Sequence, residues 1–433
     1  MFCLLAGTLL WLAIGDGGAR GQSTLNFAPT VPRAESVRPQ PLPRIALTLT
    51  EAERLALENH PGLSRAQAEI EATQGRWLQV GLRPNPRLIY MGDDIGELGG
   101  AGRHGAFIGR KIITGGKLGL RRAVVEQEIT QAQQRFWMTR HRIIGDVQTV
   151  FYVAVAAQTR VALAQQLVDI GAKGVESAQK LRKARLVSDV DVLKAQIETD
   201  EAGVTLYNAK VRHVAAWRRL TAVLGRPRMR PVELSKTSNV EPKNYDWNAA
   251  LARLETDSPQ MAAALAKLEQ ARWQVQLACA EATPDLNAQA GVQYDFTGRE
   301  TLVGVQVSVP LRWNDRNQGG IEQAEAELRA AQSEIERLAL GLRHRLAEVF
   351  GRYAGARMET QKYTQDILPR AKRALELVTK GYEATELAYV DLLDAQRTYF
   401  RSSLRQLEAT ERLRRAAAEL DNFLLSGSLD EQP

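Results

Sequence analysis

The chain has 433 residues, 44% of them hydrophobic, 25% charged and 6% aromatic, with a formal net charge of +7. That composition is globular and excludes a disordered tail, and beyond the N-terminus no run approaches the roughly 20 apolar residues of a membrane-spanning helix. A polytopic inner-membrane transporter is excluded. Two cysteines, Cys3 and Cys279, and five histidines without an H-x-x-x-H pair give neither a disulfide framework nor a zinc cluster. Nucleotide-loop and nucleophile-elbow motifs are absent. The sequence therefore supplies no catalytic, cofactor or metal residues. Its basic residues are interleaved with acids, as between Ile321 and Arg337, where Arg329 and Arg337 sit among five glutamates. That pattern marks solvated helix faces and no nucleic-acid surface.

In chain order, Phe2 to Ile14 is an apolar run of signal-peptide length, followed by small and polar residues to Gln22. It lacks a preceding Lys or Arg, and Cys3 lies too early for lipid attachment after cleavage. Export is expected over residues 1–22. Residues 23–47 hold Pro29, Pro32, Pro39, Pro41 and Pro43 and read as a linker. A helix then starts at a capping box, Thr50 with Glu53, and stops at Asn59-His60-Pro61.

An internal duplication organises the rest. His60-Pro61-Gly62-Leu63 aligns with Ser258-Pro259-Gln260-Met261, and Asn85-Pro86-Arg87-Leu88 aligns with Thr283-Pro284-Asp285-Leu286, both at an offset of 198. Asp191-Val192-Leu193-Lys194-Ala195-Gln196 matches Asp391-Leu392-Leu393-Asp394-Ala395-Gln396 at an offset of 200. The expected domains are a first repeat over 48–225, a connecting segment over 226–243, a second repeat over 244–425 and a tail over 426–433.

Each repeat is expected to hold short helices, a β-hairpin and a long helical region. The second hairpin alternates Leu286, Ala288, Ala290, Val292, Tyr294 and Phe296 against polar residues, then Val303, Val305, Val307, Val309 and Leu311. Alternation without charge over about 9–11 residues suits a tilted strand crossing an outer membrane. The first hairpin, Arg87 to Ile113, is blurred, with a glycine-rich centre from Gly92 to Gly105. In the long region Ile321, Ala324, Leu328, Ala331, Ile335, Leu338, Leu342, Leu346, Val349 and Tyr353 form a heptad seam with one stutter. The helix from Gln318 to Lys380 would kink at Pro369 and turn back after Gly381, as its counterpart does near Ser188-x-x-Asp191.

Four membrane strands cannot close a barrel, and an open edge in lipid leaves polar backbone groups unsatisfied at several kcal/mol each. Three chains sharing twelve strands remove the edges. The long helices would continue that barrel as a tube. The expected fold is mainly α with a membrane β-barrel part: a duplicated unit of long antiparallel coiled-coil helices plus β-hairpin, giving a trimeric 12-stranded barrel continued by an α-helical barrel.

Leu49-Thr50-Glu51-Ala52 through Asn59-His60-Pro61, the repeated Asp-Val/Leu-Leu-x-Ala-Gln segments and the duplication resemble the TolC-like outer-membrane efflux proteins. Val309-Pro310-Leu311 followed by Asn314-Asp315-Arg316-Asn317-Gln318-Gly319 is similar to the strand-to-helix stretch of the cation-efflux branch. The resemblance implies a homotrimer in outer-membrane lipid with a periplasmic tunnel. It would work with a periplasmic adaptor and an inner-membrane pump and catalyse nothing; its cargo stays open among metal cations, small drugs and secreted peptides. Adaptor contact is expected at the tips Arg185, Leu186, Val187 and Ser188 and Glu386, Leu387 and Ala388. Asp391 and Asp394 are expected to constrict the tunnel. The alternative reading of the heptads is a periplasmic coiled-coil scaffold that conducts nothing.

Overall fold

The computed structural model describes residues 46–97, 100–235, 243–384 and 386–429. The expected signal and most of the proline-rich segment lie outside them.

Helix α1 (Leu49–Asn59) starts at Thr48, whose hydroxyl accepts the N–H of Glu51 at 3.2 Å. The capping pair is thus Thr48 and Glu51, two residues earlier than the sequence pattern suggested. Both T-x-x-E matches overlap there, and since the helix begins at Leu49, Thr50 falls inside its first turn. His60 ends α1 and caps α2 (Pro61–Val80), its Nδ1 accepting from Gly62 N–H at 3.1 Å. The second repeat copies this device. Ser258 lies between α5 (Trp247–Asp257) and α6 (Pro259–Glu281), and its hydroxyl accepts from Met261 N–H at 3.2 Å. In both helices proline takes the first turn, where a missing N–H costs nothing.

The strands are β1 (Arg87–Asp93), β2 (Arg103–Ile112), β3 (Leu286–Asp295) and β4 (Glu300–Ser308). They form one antiparallel sheet in the order β1-β2-β3-β4, so the two hairpins join through β2 and β3. The first hairpin is as regular as the second, pairing Arg87 with Gly109 through Asp93 with Arg103. Its glycine-rich centre is shorter than expected, because Gly92 and Gly105 sit inside the ladder. Strand β4 stops three residues before Leu311, because β3 begins at Leu286 and offers β4 no partner beyond that point.

Helix α3 (Lys117–Lys183) is 67 residues long, on the order of 100 Å at 1.5 Å per residue. It contains an 18-residue window apolar enough to cross a membrane. Ile143, Val147, Phe151 and Ala154 of α3 are nevertheless buried against α1 and against α4 (Asp189–Val223). In the second repeat the long path is divided into α7 (Gln318–Lys362), a π-turn (Tyr363–Ile367) and α8 (Leu368–Glu383), returning as α9 (Tyr389–Asp421). The expected kink is a wide turn just ahead of Pro369, where the ring would otherwise meet the carbonyl one turn back. The heptad seam holds: Ala324, Ala331, Leu342, Leu346, Val349 and Tyr353 are buried.

Three cores result. One belongs to the first repeat, around Ile143, Phe151, Trp217 and Leu220. The second lies in the second repeat, around Leu342, Leu346, Tyr353 and Leu420. A third, at the ends of the long helices, combines Ala178, Val192 and Ala195 with Tyr382, Tyr389 and Leu392. Leu47 and Leu234 bridge in parallel and are both buried, which ties the chain leaving the first repeat to its beginning.

Candidate channel wall and tunnel tips

The ladder registers put Leu88, Ile108, Ala290 and Val305 in one row and Tyr90, Ala106, Val292 and Val303 in the next. Strand alternation places both rows on one face. Those two rows are apolar and uncovered: Leu88, Tyr90, Ile108, Val292, Val303 and Val305, with Val307 in the next row, are all more than half exposed, while Arg110 and His104 lie on the same face to either side of them. Several adjacent valines and leucines in water would be a serious aggregation liability, whereas lipid accepts them. The opposite face carries Arg87, Asp93, Arg103, Lys111, Asp295 and Glu300 along with Gln289, Gln293 and Gln306. Phe107 is its buried exception. A β-carbon on Gly291 or Gly304 would come within 3 Å of that ring, so the two glycines make its seat.

Where the sheet meets the helices, a charged knot joins the repeats. Lys117, 3% exposed, donates through Nζ to Asp285 Oδ1 and to Thr283 carbonyl oxygen, both at 2.6 Å. Lys111 approaches Asp285 Oδ2 at 3.1 Å, and Thr114 N–H donates to Oδ1 at 3.2 Å. Burial works against the Asp285 charge, but the bonds from Lys117, Lys111 and Thr114 outweigh it and hold the carboxyl at about 2.

At the far end, α3 closes with Arg185 in a left-handed conformation (φ 61°) and with Leu186 N–H donating to Leu181 carbonyl at 2.9 Å, the wrapping bond of a Schellman ending. Helix α4 opens with a complete capping box. Asp191 N–H donates to the Ser188 hydroxyl oxygen, and Ser188 N–H donates to Asp191 Oδ2 at 3.1 Å. The hydroxyl and backbone N–H of Ser188 keep the Asp191 carboxyl below its ordinary range. Arg185, Leu186, Val187 and Ser188 therefore form the turn between the two helices. Glu386, Leu387 and Ala388 do the same between α8 and α9, with Leu387 against Gly381.

Ala388 has no hydroxyl, so only half the box survives: its N–H donates to Asp391 Oδ2 at 3.1 Å. Asp394 lies one turn further along, and both acids are exposed in the single chain. The Asp391 carboxylate thus serves its own helix terminus, the role that Asp191 has in the first repeat. Asp394 has no such bond among the described residues, and the first repeat carries Lys194 in its place.

Sequence reasoning missed the Lys117–Asp285 knot, the tyrosine cluster Tyr382/Tyr389, and the ion pair of Arg397 with Glu198 that links α9 to α4. It also missed a stripe that was legible. On α4, Val190, Leu193, Ile197, Val204, Tyr207, Val211 and Val214 recur at heptad spacing and stay exposed. The opposite side of α4 carries Ala195, Ala202, Ala209 and Ala216, small enough to bring α3 close.

The sequence model of the outer membrane efflux protein family matches residues 231–424. The chain is also 29% identical over 424 residues, 98% of its own length and 99% of the relative's, to the cobalt-zinc-cadmium resistance protein CzcC of Cupriavidus metallidurans. The match to the efflux family falls on the second repeat, and the likeness to the resistance protein runs from end to end. The fold is that of solved outer-membrane channels. OprN superposes with a TM-score of 0.73 at 17% identity, covering 88% of this chain and 90% of that one. The open-state MtrE channel of Neisseria gonorrhoeae gives 0.68 at 17% identity over 88% and 89%. An outer-membrane channel would turn the uncovered valine face to lipid and keep the long helices on the periplasmic side. The scaffold reading left that face unexplained.

Proposed function

We propose that the chain is the exit duct of a three-component export system, assembled as a homotrimer and passing metal cations from a periplasmic adaptor and an inner-membrane pump. The assembly is supported by edges. Strands β1 and β4 are both unpaired on their outer sides. Near the tips, helix packing runs α4, α3, α9, α8, leaving α4 and α8 at the ends. A head-to-tail interface between unlike edges closes into a ring, and three chains make a barrel of twelve strands. The exposed α4 stripe is the side such an interface would cover.

The metal reading rests on one observation, the end-to-end likeness to a cobalt-zinc-cadmium resistance protein. In this reading Asp391 and Asp394 of three chains narrow the tunnel and favour cations, as carboxylate rings do in cation channels. The turns at Arg185–Ser188 and Glu386–Ala388 meet the adaptor. Domain boundaries at 48–225 and 244–425 follow the duplication. The test is tolerance: cells with a cognate pump and adaptor should lose several-fold tolerance to cobalt, zinc or cadmium when this chain is deleted. Unchanged tolerance to all three, with export of another cargo lost, would overturn the metal reading.

A further inference from the structure

The junction between the two repeats is a template for the junction between two subunits. Within the chain, β2 of the first repeat pairs with β3 of the second. In a ring, β4 of one subunit must pair with β1 of the next, and duplication makes β4 the counterpart of β2 and β1 the counterpart of β3. The correspondence can be fixed residue by residue. Leu88 aligns with Leu286 through the preceding Asn85-Pro86 and Thr283-Pro284. Leu88 pairs with Ile108, and extending the Asn287–Ser308 ladder by one step sets Leu286 opposite Val309. Ile108 therefore corresponds to Val309, Arg110 to Leu311 and Ile112 to Trp313. An independent marker agrees with this spacing. Helices α3 and α7 begin at Lys117 and Gln318, each directly after a left-handed residue, Gly116 at φ 69° and Asn317 at φ 60°.

Resting on the trimer proposed above, we infer that Val309, Leu311 and Trp313 extend β4 and pair with Gly92, Tyr90 and Leu88 of the partner subunit, in the register that Ile108, Arg110 and Ile112 hold with Ala290, Ala288 and Leu286. The face is conserved by this register. Val309, Leu311 and Trp313 continue the outward alternation of Val303, Val305 and Val307 and are 43%, 76% and 78% exposed, and Tyr90 and Leu88 are 71% and 81% exposed. A slip by one residue would turn the apolar set into the lumen. Pro310 has no N–H, so it can offer this ladder no donor at that step. The charged knot is not copied: Lys117 and Asp285 have Gln318 and Arg87 as counterparts. The subunit joint therefore lacks the counterpart of the Lys117–Asp285 pair.

The test is cysteine crosslinking in the full chain with Cys3→Ser and Cys279→Ser. Directly opposed residues lie about 4.5–5.5 Å apart between α-carbons, inside the disulfide range, whereas a two-residue slip gives roughly 7–8 Å. Leu311→Cys with Tyr90→Cys should link subunits at least several-fold more completely than Leu311→Cys with Leu88→Cys or with Gly92→Cys. Each single variant should still trimerise in detergent. Trimers that crosslink best through a slipped pair, or through none of the three, overturn the register and leave the trimer standing. A parent protein that stays monomeric in detergent and in membranes overturns the trimer, and the register with it.

Discussion

The two repeats are tied together at both ends of the long helices, by different chemistry. Beside the sheet the tie is Lys117 on Asp285, with Lys111 and Thr114 completing the carboxylate. At the tips it is Tyr382 and Tyr389 against Ala178 and Ala195, with the pair Arg397–Glu198 outside them. Removing one partner of a buried pair costs about 3–5 kcal/mol, whereas a surface pair is worth about 0–1 kcal/mol. Arg397 is 57% exposed at its side chain and Lys117 only 3%. The difference teaches where the chain is fixed and where it is free to part. The barrel end is locked by charges that cannot be released one at a time. The tip end is tied by a small apolar core and one largely exposed ion pair.

The largest effect expected is on the wall that makes the barrel end a membrane end. Val305→Arg with Val307→Arg should abolish trimer assembly in membranes, since each arginine costs roughly 2–4 kcal/mol at the midplane. Assembly is read by heat-resistant trimer yield in outer-membrane fractions. Normal yield would mean that this face does not meet lipid. Next comes Asp285→Ala, which strands Lys117 and should destabilise the protein by about 3–5 kcal/mol, read as a drop in the unfolding midpoint. The wild-type protein carries the same information in its pH dependence. The Asp285 pKa is depressed to about 2, so its contribution is complete above the ordinary aspartate pKa of about 4 and is lost as pH falls from about 4 to about 2. Asp285→Ala should remove that part of the acid transition.

At the tips the expected effects are smaller and differ in sign. The Tyr382 hydroxyl is buried without a partner among the described residues. Tyr382→Phe should therefore be neutral or stabilise by about 1 kcal/mol, because an unsatisfied buried hydroxyl carries a desolvation cost. Arg397→Ala should change the unfolding midpoint by less than about 1 kcal/mol equivalent. A loss from Arg397→Ala as large as that from Asp285→Ala would erase the contrast between the two ends.

What the sequence revealed of this architecture was whatever repeats locally. Alternation marked β3 and β4, heptads marked the seam from Ala324 to Tyr353, and Ser188 with Asp191 marked the start of α4. Local patterns also misled where two overlapped: Thr48 and Thr50 each begin a T-x-x-E pattern, and the helix starts from the earlier one. The pairing of β2 with β3 had no local signal, because it joins residues nearly two hundred positions apart. The Lys117–Asp285 knot was hidden for the same reason, each residue looking like an ordinary surface charge beside a turn. The α4 stripe was missed because Val192 and Ala195, which face α3, lie between its members and blur the face. Of the acids singled out near the tips, Asp391 has a local task at Ala388, while Asp394 has none among the described residues.

Conduction separates a channel from a scaffold most directly. Purified trimer added to one side of a planar bilayer should insert with discrete, cation-preferring conductance steps. Asp391→Asn with Asp394→Asn should raise the step size or weaken the cation preference. A folded trimer that binds the bilayer yet passes no ions would contradict the channel. Steps whose size and selectivity are untouched by the double substitution would leave the channel intact and return both acids to the start of α9 as ordinary helix-terminus residues.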